Sequence, residues 1–330
     1  MTKLFTAAPF VIAEVGSNFR TFDDAMKSIE IAAACGANAA KFQAFDWPAL
    51  YGTKQMLATI DGINLNYKKM QHQLPLDWLP NLKSQADAHD IELMCTAFSP
   101  ELVAVVDPYV EVHKIASSDA CWPQMLEAVA KTGKPVLISF GGKSDDERRQ
   151  AMDLLQGKCL NGRDDVVPLY CVAAYPADCA VLPDFHNDTT YDGFSDHTLG
   201  YTAAVESARM GAIVIEKHFT AFPDLDTPDR LHSLTPAQFT RMVQLIRGEP
   251  VVSEETAMHL RHNRRLIATH DITADAVMTY GENFGAYRSL VDDTRGLSPF
   301  DWERVEGKRA TKVDKRGQDI SAQTAAAAQA

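Results

Sequence analysis

Eight short apolar runs, spaced by amphipathic segments, recur through about the first 245 residues of the chain. The runs fall at 10–17, 37–45, 91–98, 110–118, 135–142, 166–175, 192–198 and 212–220. Each is short enough for a strand and too continuously apolar for a strand with one wet face, which indicates a parallel sheet covered on both sides. Helical segments follow at 21–36, 75–90, 121–133, 144–157, 199–211 and 235–248. Thr21 and Thr235 suit N-caps, and Gly36, Gly133, Gly157, Gly211 and Gly248 suit helix stops. Eight strand–helix units of this size predict an α/β fold of the (β/α)8 TIM-barrel type. A doubly wound sheet is the competing layout, but no G-x-G-x-x-G follows the first strand.

The barrel is expected over residues 1–250, with the long segment 46–72 as a rim over its mouth. A break follows at 248–255. Residues 259–320 change texture and read as a small, mostly-β C-terminal domain, and 321–330 as a low-complexity, disordered tail. The formal net charge is −12, which disfavours nucleic acid or an anionic membrane surface as partner. No run reaches the ~20 apolar residues of a membrane span, and the amino terminus lacks the basic start and apolar core of a signal peptide. Cys35, Cys95, Cys121, Cys159, Cys171 and Cys179 form no C-x-x-C pair and read as reduced core thiols. A cytoplasmic protein is the expectation.

Polar residues crowd the C-terminal ends of the runs: Glu14, Asn18, Lys41, Gln43, Thr96, Lys114, Ser117, Asp119, Ser139, Tyr175, Ser195, His197, Glu216 and His218. A barrel converges these ends on one mouth, where active sites of the fold sit. His197 and His218 close adjacent strands and are candidate ligands of one divalent metal; the alternative is that they hydrogen-bond within the barrel end. Imidazole suits Mn²⁺, Fe²⁺, Co²⁺ or Zn²⁺ better than Mg²⁺. Two protein ligands alone would hold a metal weakly. Lys41 and Lys114 interrupt apolar strands, where an unpaired ammonium is costly. Either an anionic ligand or an internal carboxylate would remove that cost. Glu14 and Asp119 are acid–base candidates or partners for those lysines. His113 should face away from Lys114 under strand alternation.

The chain resembles the sialic acid (N-acetylneuraminate) synthase family, which includes legionaminic and pseudaminic acid synthases and spore-coat polysaccharide synthases. The matching stretches are IAEVGSN (12–18), AKFQAF (40–45), CTAFSPE (95–101), KIASSD (114–119) and TGKPVLISFGG (132–142). They continue in order with LYCVAAYP (169–176), GFSDHTLGY (193–201), GAIVIEKHFT (211–220) and TPDRLHSLTP (227–236). The C-terminal segment resembles the family's antifreeze-like (SAF) domain through RRLIATHDI, the turn near Gly281 and Asn283, Arg288, GLSP, GKRA and GQDI.

That resemblance implies a synthase joining phosphoenolpyruvate to a sugar aldehyde. His197 and His218 would hold the metal, with Mn²⁺ the first choice and Co²⁺ or Mg²⁺ the alternatives. Lys41, Thr96, Lys114, Ser117, Ser139 and Ser195 would bind phosphoenolpyruvate; Glu14, Gln43, Asp119, Tyr175 and Asp229 would surround the sugar, with Glu14 handling the attacking water. Arg288, or in its place Arg295, would reach a partner subunit's mouth in a domain-swapped homodimer. Three positions depart from the family pattern: Phe19 stands for a histidine, Phe140 for a threonine and Ala173 for an asparagine. A change in sugar recognition is the expected consequence. Two other readings stay open: a class I aldolase with Lys114 or Lys41 as Schiff base, and a non-catalytic binding relative.

Overall fold

The computed structural model describes residues 9–46, 50, 72–157, 165–177, 182–187, 189–248, 264–288, 297, 299–311 and 320. The chain divides into two compact units, Met1–Glu249 and Pro250–Ala330. In the first, β1 (Phe10–Gly16), β2 (Ala39–Ala44), β3 (Glu92–Ala97), β4 (His113–Ile115), β5 (Val136–Ser139), β6 (Val166–Cys171), β7 (Gly193–Asp196) and β8 (Val214–His218) pair in sequence order. Every neighbouring pair is parallel, and β8 returns to β1 through Phe10↔Val214 and Glu14↔His218, closing the barrel. Each strand lies inside one of the eight runs read from the sequence.

The helices are α1 (Phe22–Ala34), α2 (Leu79–Ala88), α3 (Pro100–Val106), α4 (Pro123–Ala130), α5 (Asp145–Gln156), α6 (Thr202–Arg209) and α7 (Pro236–Ile246). Thr21 and Thr235 cap α1 and α7 through capping boxes with Asp24 and Gln238. Helix α3 was not among the segments singled out by periodicity; at seven residues it is too short to show a period, and Ser99 with Pro100 starts it. Gly211 ends the α6 segment at φ +101 with the His186 ring against it, so close that a Cβ there would lie 2.6 Å from Nδ1. Gly157 instead closes α5 in the right-handed region, at φ −72.

Period-two alternation splits the strands' side chains into two sets. Val11, Ala13, Val15, Ala40, Phe42, Ile115, Val136 and Ile138 pack outward against the helices. Phe10, Ile12, Ala39, Met94, Val112, Leu137, Val167, Leu169 and Val214 fill the barrel's interior as an apolar floor. Two residues further along the same strands, the inward positions are Glu14, Lys41, Thr96, Lys114, Ser139, Cys171 and Glu216, with Ser195 two beyond Gly193. The floor thus seals the bottom, and the polar layer lies directly above it.

The second unit holds an antiparallel pair, β9 (Arg264–Ala268) and β10 (Phe284–Arg288), and a one-turn helix α8 (Trp302–Val305). Its core gathers Leu266, Ala268, Ile272, Met278, Phe284, Val305, Ala310 and Ile320. The rim segment 46–72 falls almost wholly outside the described residues, as do the 249–255 part of the break, the tail 321–330, Cys159, Cys179 and Arg295. Cys35, Cys95 and Cys171 are buried free thiols; Cys121 is exposed, which corrects its reading as a core residue, because it follows β4 in a loop. No described helix is long and apolar enough to cross a membrane.

Candidate active site

Above the apolar floor opens a cavity of about 620 Å³. Its bottom is a charged quartet. Lys41 Nζ lies 2.8 Å from Glu14 Oε2 and 3.4 Å from Glu216 Oε2, and donates to Thr96 Oγ1 at 3.1 Å. Lys114 Nζ lies 3.8 Å from Glu216 Oε1 and donates to Ser139 Oγ at 2.9 Å and to the Ile115 carbonyl at 3.1 Å. Ser195 Oγ donates to Glu216 Oε1 at 2.7 Å, and Gln43 Nε2 to Glu14 Oε1 at 2.6 Å. The lysines therefore have internal partners, but unequally. Lys41 is held in a close ion pair, whereas the shell of Lys114 consists of neutral oxygens and a distant carboxylate.

The two buried carboxyls are pushed in opposite directions. Burial raises Glu14 to about 7, Lys41 only partly opposing it and the charge of Glu216 adding to it. Burial acts on Glu216 too, but Lys114, Lys41 and the Ser195 hydroxyl overcome it and hold that group down at about 2. Glu216 wins the charge because two ammonium groups face it, while Glu14 has one. Burial moves Lys114 below the usual lysine range despite Glu216. On Lys41 burial acts in the same direction, but Glu14 and Glu216 outweigh it and raise the group. One carboxyl in this layer thus exchanges a proton near neutrality.

The next layer is imidazole. His197 and His218 both line the cavity, with ring centres 5.6 Å apart. His197 Nδ1 is 2.8 Å from the Val172 carbonyl, so it donates there and leaves Nε2 as the lone-pair nitrogen. His218 Nδ1 is buried with no hydrogen-bond partner among the described residues. Burial lowers both rings below the usual histidine range, so they are neutral. These are the properties of cation ligands. With nitrogen–metal bonds of about 2.0–2.1 Å, ring centres lie roughly 3.2 Å from an ion, and 5.6 Å suits two rings sharing one at an open angle. Among the described residues no group of three His, Cys, Asp or Glu gathers as a metal cage. A cation here would rest on two imidazoles and on oxygens from substrate or water.

Behind the imidazoles lies a fully buried ion pair. Asp196 and Lys217 precede them on β7 and β8, are paired in register, and point outward from the barrel. Lys217 Nζ meets Asp196 Oδ2 at 2.8 Å and the Thr198 carbonyl at 2.6 Å, while Asp196 Oδ1 accepts from the Thr198 amide at 2.8 Å. At the end of β1, Asp229 lines the cavity and its Oδ2 accepts from the Ser17 amide at 3.1 Å. Gly16 (φ +57) makes room: a Cβ there would lie 2.7 Å from that oxygen. Asn18 ties the β8 loop to β1 through the Phe219 carbonyl, Ser233 Oγ and Thr227 Oγ1.

Of the residues singled out from the sequence, Glu14, Lys41, Gln43, Thr96, Lys114, Ser117, Ser139, Tyr175, Ser195, His197, His218 and Asp229 all line this one cavity. Asp119 does not; it is buried beside the wall, where burial raises it to about 6 against Ser118 and Lys114. Arg288 ends β10, and its side chain lies outside the described residues. His113 faces away from Lys114 and meets Asp107 at 2.9 Å. Phe19 and Phe140 are core residues, the former against Phe42 and Trp78, so neither ring reaches the cavity; Ala173 does line it.

Three charged or imidazole side chains of the cavity carry no role in the sequence reading: Glu216, His232 and Lys143. Glu216 shares the inward parity of His218, and that alternation was the available signal. His232 arrives on the turn Arg230–His232, its ring centre 4.4 Å from that of His218 and 5.2 Å from Tyr175; nothing local in the sequence marks it. Lys143 lines the wall after β5.

Comparison with known proteins agrees with this architecture. A family model described as the NeuB family matches residues 28–254. The chain belongs to the NeuB family. An uncharacterized protein of Methanocaldococcus jannaschii is 34% identical over 72% of this chain and 70% of its own. The N,N'-diacetyllegionaminic acid synthase of Campylobacter jejuni is 28% identical, over 94% of this chain and 98% of its own. Among solved structures, an N-acetylneuraminic acid (sialic acid) synthetase from Leptospira borgpetersenii superposes with a TM-score of 0.65 at 26% identity, over 77% of this chain and 92% of that one. The Campylobacter match, at 94% of this chain, takes in both units described above, and the family match covers β2 to β8 with the intervening segments.

Proposed function

We propose that this NeuB-family enzyme condenses phosphoenolpyruvate with an open-chain sugar aldehyde, releasing phosphate and a 2-keto-3-deoxy sugar acid of the sialic-acid type. The observation that carries the reading is the stacking of two layers in one cavity: a lysine–glutamate–hydroxyl layer suited to an anion, and directly above it two neutral imidazoles. Relatives named as legionaminic and sialic acid synthases support the same chemistry.

Lys114, whose shell is the more open, takes the incoming anion, with Ser139, Ser117, Ser195, Thr96 and Lys41 around it. Tyr175, Asp229 and Gln43 hold the sugar so that its aldehyde carbon lies against carbon 3 of the enol. A divalent cation held by His197 and His218 would supply Lewis acidity at the aldehyde oxygen, and Mn²⁺ is the first choice for that ligand set. The new bond joins carbon 3 to the aldehyde carbon. The aldehyde oxygen takes up a proton to become a hydroxyl; water adds at carbon 2 and gives one proton to Glu14, and the carbon–oxygen bond to phosphate breaks as the remaining hydroxyl proton leaves and the ketone forms. Glu14 suits that role because it exchanges a proton near pH 7 while Gln43 fixes its orientation. The C-terminal unit is proposed to be an SAF-type domain that carries Arg288 to a second copy's mouth in a domain-swapped dimer; a monomer by light scattering would refute that part.

Phosphate release from phosphoenolpyruvate across a panel of amino-sugar and deoxy-sugar aldehydes, with and without chelator, tests the reading. Release that depends on sugar and is abolished by chelator is expected. The lowered proton affinity of Lys114 also favours a Schiff-base aldolase. Borohydride trapping of a keto acid on Lys114, with no phosphate release, would give the site to that chemistry instead.

A further inference from the structure

The charges around the cavity floor do not balance the substrate proposed for it. Lys41 and Lys114 contribute two positive charges; Glu216 removes one and Glu14 part of another, leaving between zero and one. Phosphoenolpyruvate brings a carboxylate and a phosphate, together close to three negative charges at neutral pH. A cation at the imidazoles would answer part of this, at the aldehyde end. The wall where Lys114 and Ser139 hold their oxygens still needs positive charge.

Lys143 is the third lysine lining the cavity, on the same wall as Ser117, Ser118 and Ser139. Its position follows from SFGGKS (139–144). Gly141 lies flat on the end of β6, where a Cβ would meet Ala173 Cβ and Cys171 Sγ at 3.1 Å. Gly142 at φ +69 then turns the chain back, and the Lys143 amide closes the turn on the Phe140 carbonyl at 3.4 Å. Three acids follow Lys143 after Ser144, yet each is engaged elsewhere. Asp145 pairs with Arg148, Asp146 with Arg149, and Glu147 accepts from Ser144 in the α5 capping box. Lys143 makes no ion pair with a described carboxylate; Asp119 and Glu147 feel its charge only from beyond contact. It is half-buried, turned to the cavity, and uncommitted.

We propose that Lys143 is a third cation of the anion subsite and takes a phosphate oxygen of bound phosphoenolpyruvate from the wall after β5, on the side of Lys114 and Ser139. This rests on the reading of the cavity as a phosphoenolpyruvate site. The same ammonium could in principle serve a phosphate carried by the sugar, and the test separates the two sources. Phosphoenolpyruvate and inorganic phosphate are titrated calorimetrically into the full-length protein, without sugar, for wild type, Lys143→Met and Lys143→Arg. The Met variant should weaken both ligands on the order of tenfold, by less at high salt because the group is half-exposed. Arg should restore most of the loss, and the melting temperature should move little, since the ammonium makes no ion pair with a described carboxylate. In turnover, KM for phosphoenolpyruvate should rise while kcat and KM for a neutral sugar stay within about twofold. An unchanged phosphoenolpyruvate Kd in Lys143→Met overturns the proposal. So does a loss confined to KM for a phosphorylated sugar. Wild-type protein that binds phosphoenolpyruvate but never releases phosphate would instead sink the synthase reading, while the calorimetric arm still decides Lys143.

Discussion

Replacing Lys217 by methionine removes one half of an ion pair that has no access to water on either side. Lys217 and Asp196 side chains are both 0% exposed, 2.8 Å apart, and the ammonium also supports the Thr198 carbonyl. The variant leaves the Asp196 carboxylate buried without its counter-charge, which costs about 3–5 kcal/mol. The lost donor to Thr198 adds about 1 kcal/mol. For a barrel of this size each kcal/mol moves the midpoint by roughly 2–4 °C, so the barrel transition should fall by about 8–24 °C. The double variant Asp196→Leu/Lys217→Met removes both charges at similar volume. It should return to within about 2 kcal/mol of wild type, because the desolvation cost of the pair disappears with it. The two residues immediately precede His197 and His218, so the single variant should also weaken Mn²⁺ binding, on the order of tenfold or more. Thermal and urea unfolding of wild type, single and double variants, with Mn²⁺ titration of each, reads all of this. A single variant within about 1 kcal/mol of wild type, or a double variant no better than the single, would refute the reasoning.

His218→Ala should lose Mn²⁺ binding and turnover while keeping the fold, because the ring lines the cavity and is the proposed ligand rather than a core filler; retained affinity by metal titration would contradict the role. The pH dependence of stability should carry the mark of Glu14. Its folded value, raised from 4.5 to about 7, makes its contribution fully present below about pH 4.5 and lost as pH rises to 7, a change of about 3 kcal/mol at most. Glu216, held down at about 2, acts with the opposite sign, its contribution present above pH 4.5 and lost toward pH 2. Glu14→Gln should therefore flatten the urea midpoint between pH 4.5 and 7 and leave the acid limb intact; an unchanged slope in that window would count against Glu14 as the titrating group. Gly16→Ala places a Cβ 2.7 Å from Asp229 Oδ2 at a left-handed φ, so it should cost about 1–3 kcal/mol and raise KM for the sugar more than for phosphoenolpyruvate. Equal effects on both substrates would place Asp229 elsewhere.

The two phenylalanines at unusual positions illustrate how far pattern alone reaches. From the sequence, Phe19 and Phe140 stand where the related synthases carry polar residues, and a change at the site was the expectation. In the fold both rings turn into the core, and Ala173 alone alters the cavity wall. The direction of a loop side chain depends on what the neighbouring helix leaves open, here Phe42 and Trp78 beside Phe19, and that space is built by residues far along the chain. Cys121 differs for the same reason: its loop bends outward after β4.

What the sequence determined by itself is whatever depends on local periodicity. The eight strands, the capped helices and the inward parity of Glu14, Lys41, Lys114, Ser195, His197 and His218 all follow from alternation of apolar and polar side chains, because a strand covered on both faces allows few other arrangements. Closure of the barrel then decided the rest. It set Glu216 between two ammonium groups and Glu14 beside one, so that only one of two like carboxyls keeps its proton near neutrality. It brought His232 onto His218 from a turn, paired Lys217 with Asp196 behind the imidazoles, and left Lys143 uncommitted while Asp145 and Asp146 found arginines. The ion pairs among these join residues 21 to 175 positions apart at 2.8–3.8 Å, and Coulomb energies at that range have no trace in the linear pattern.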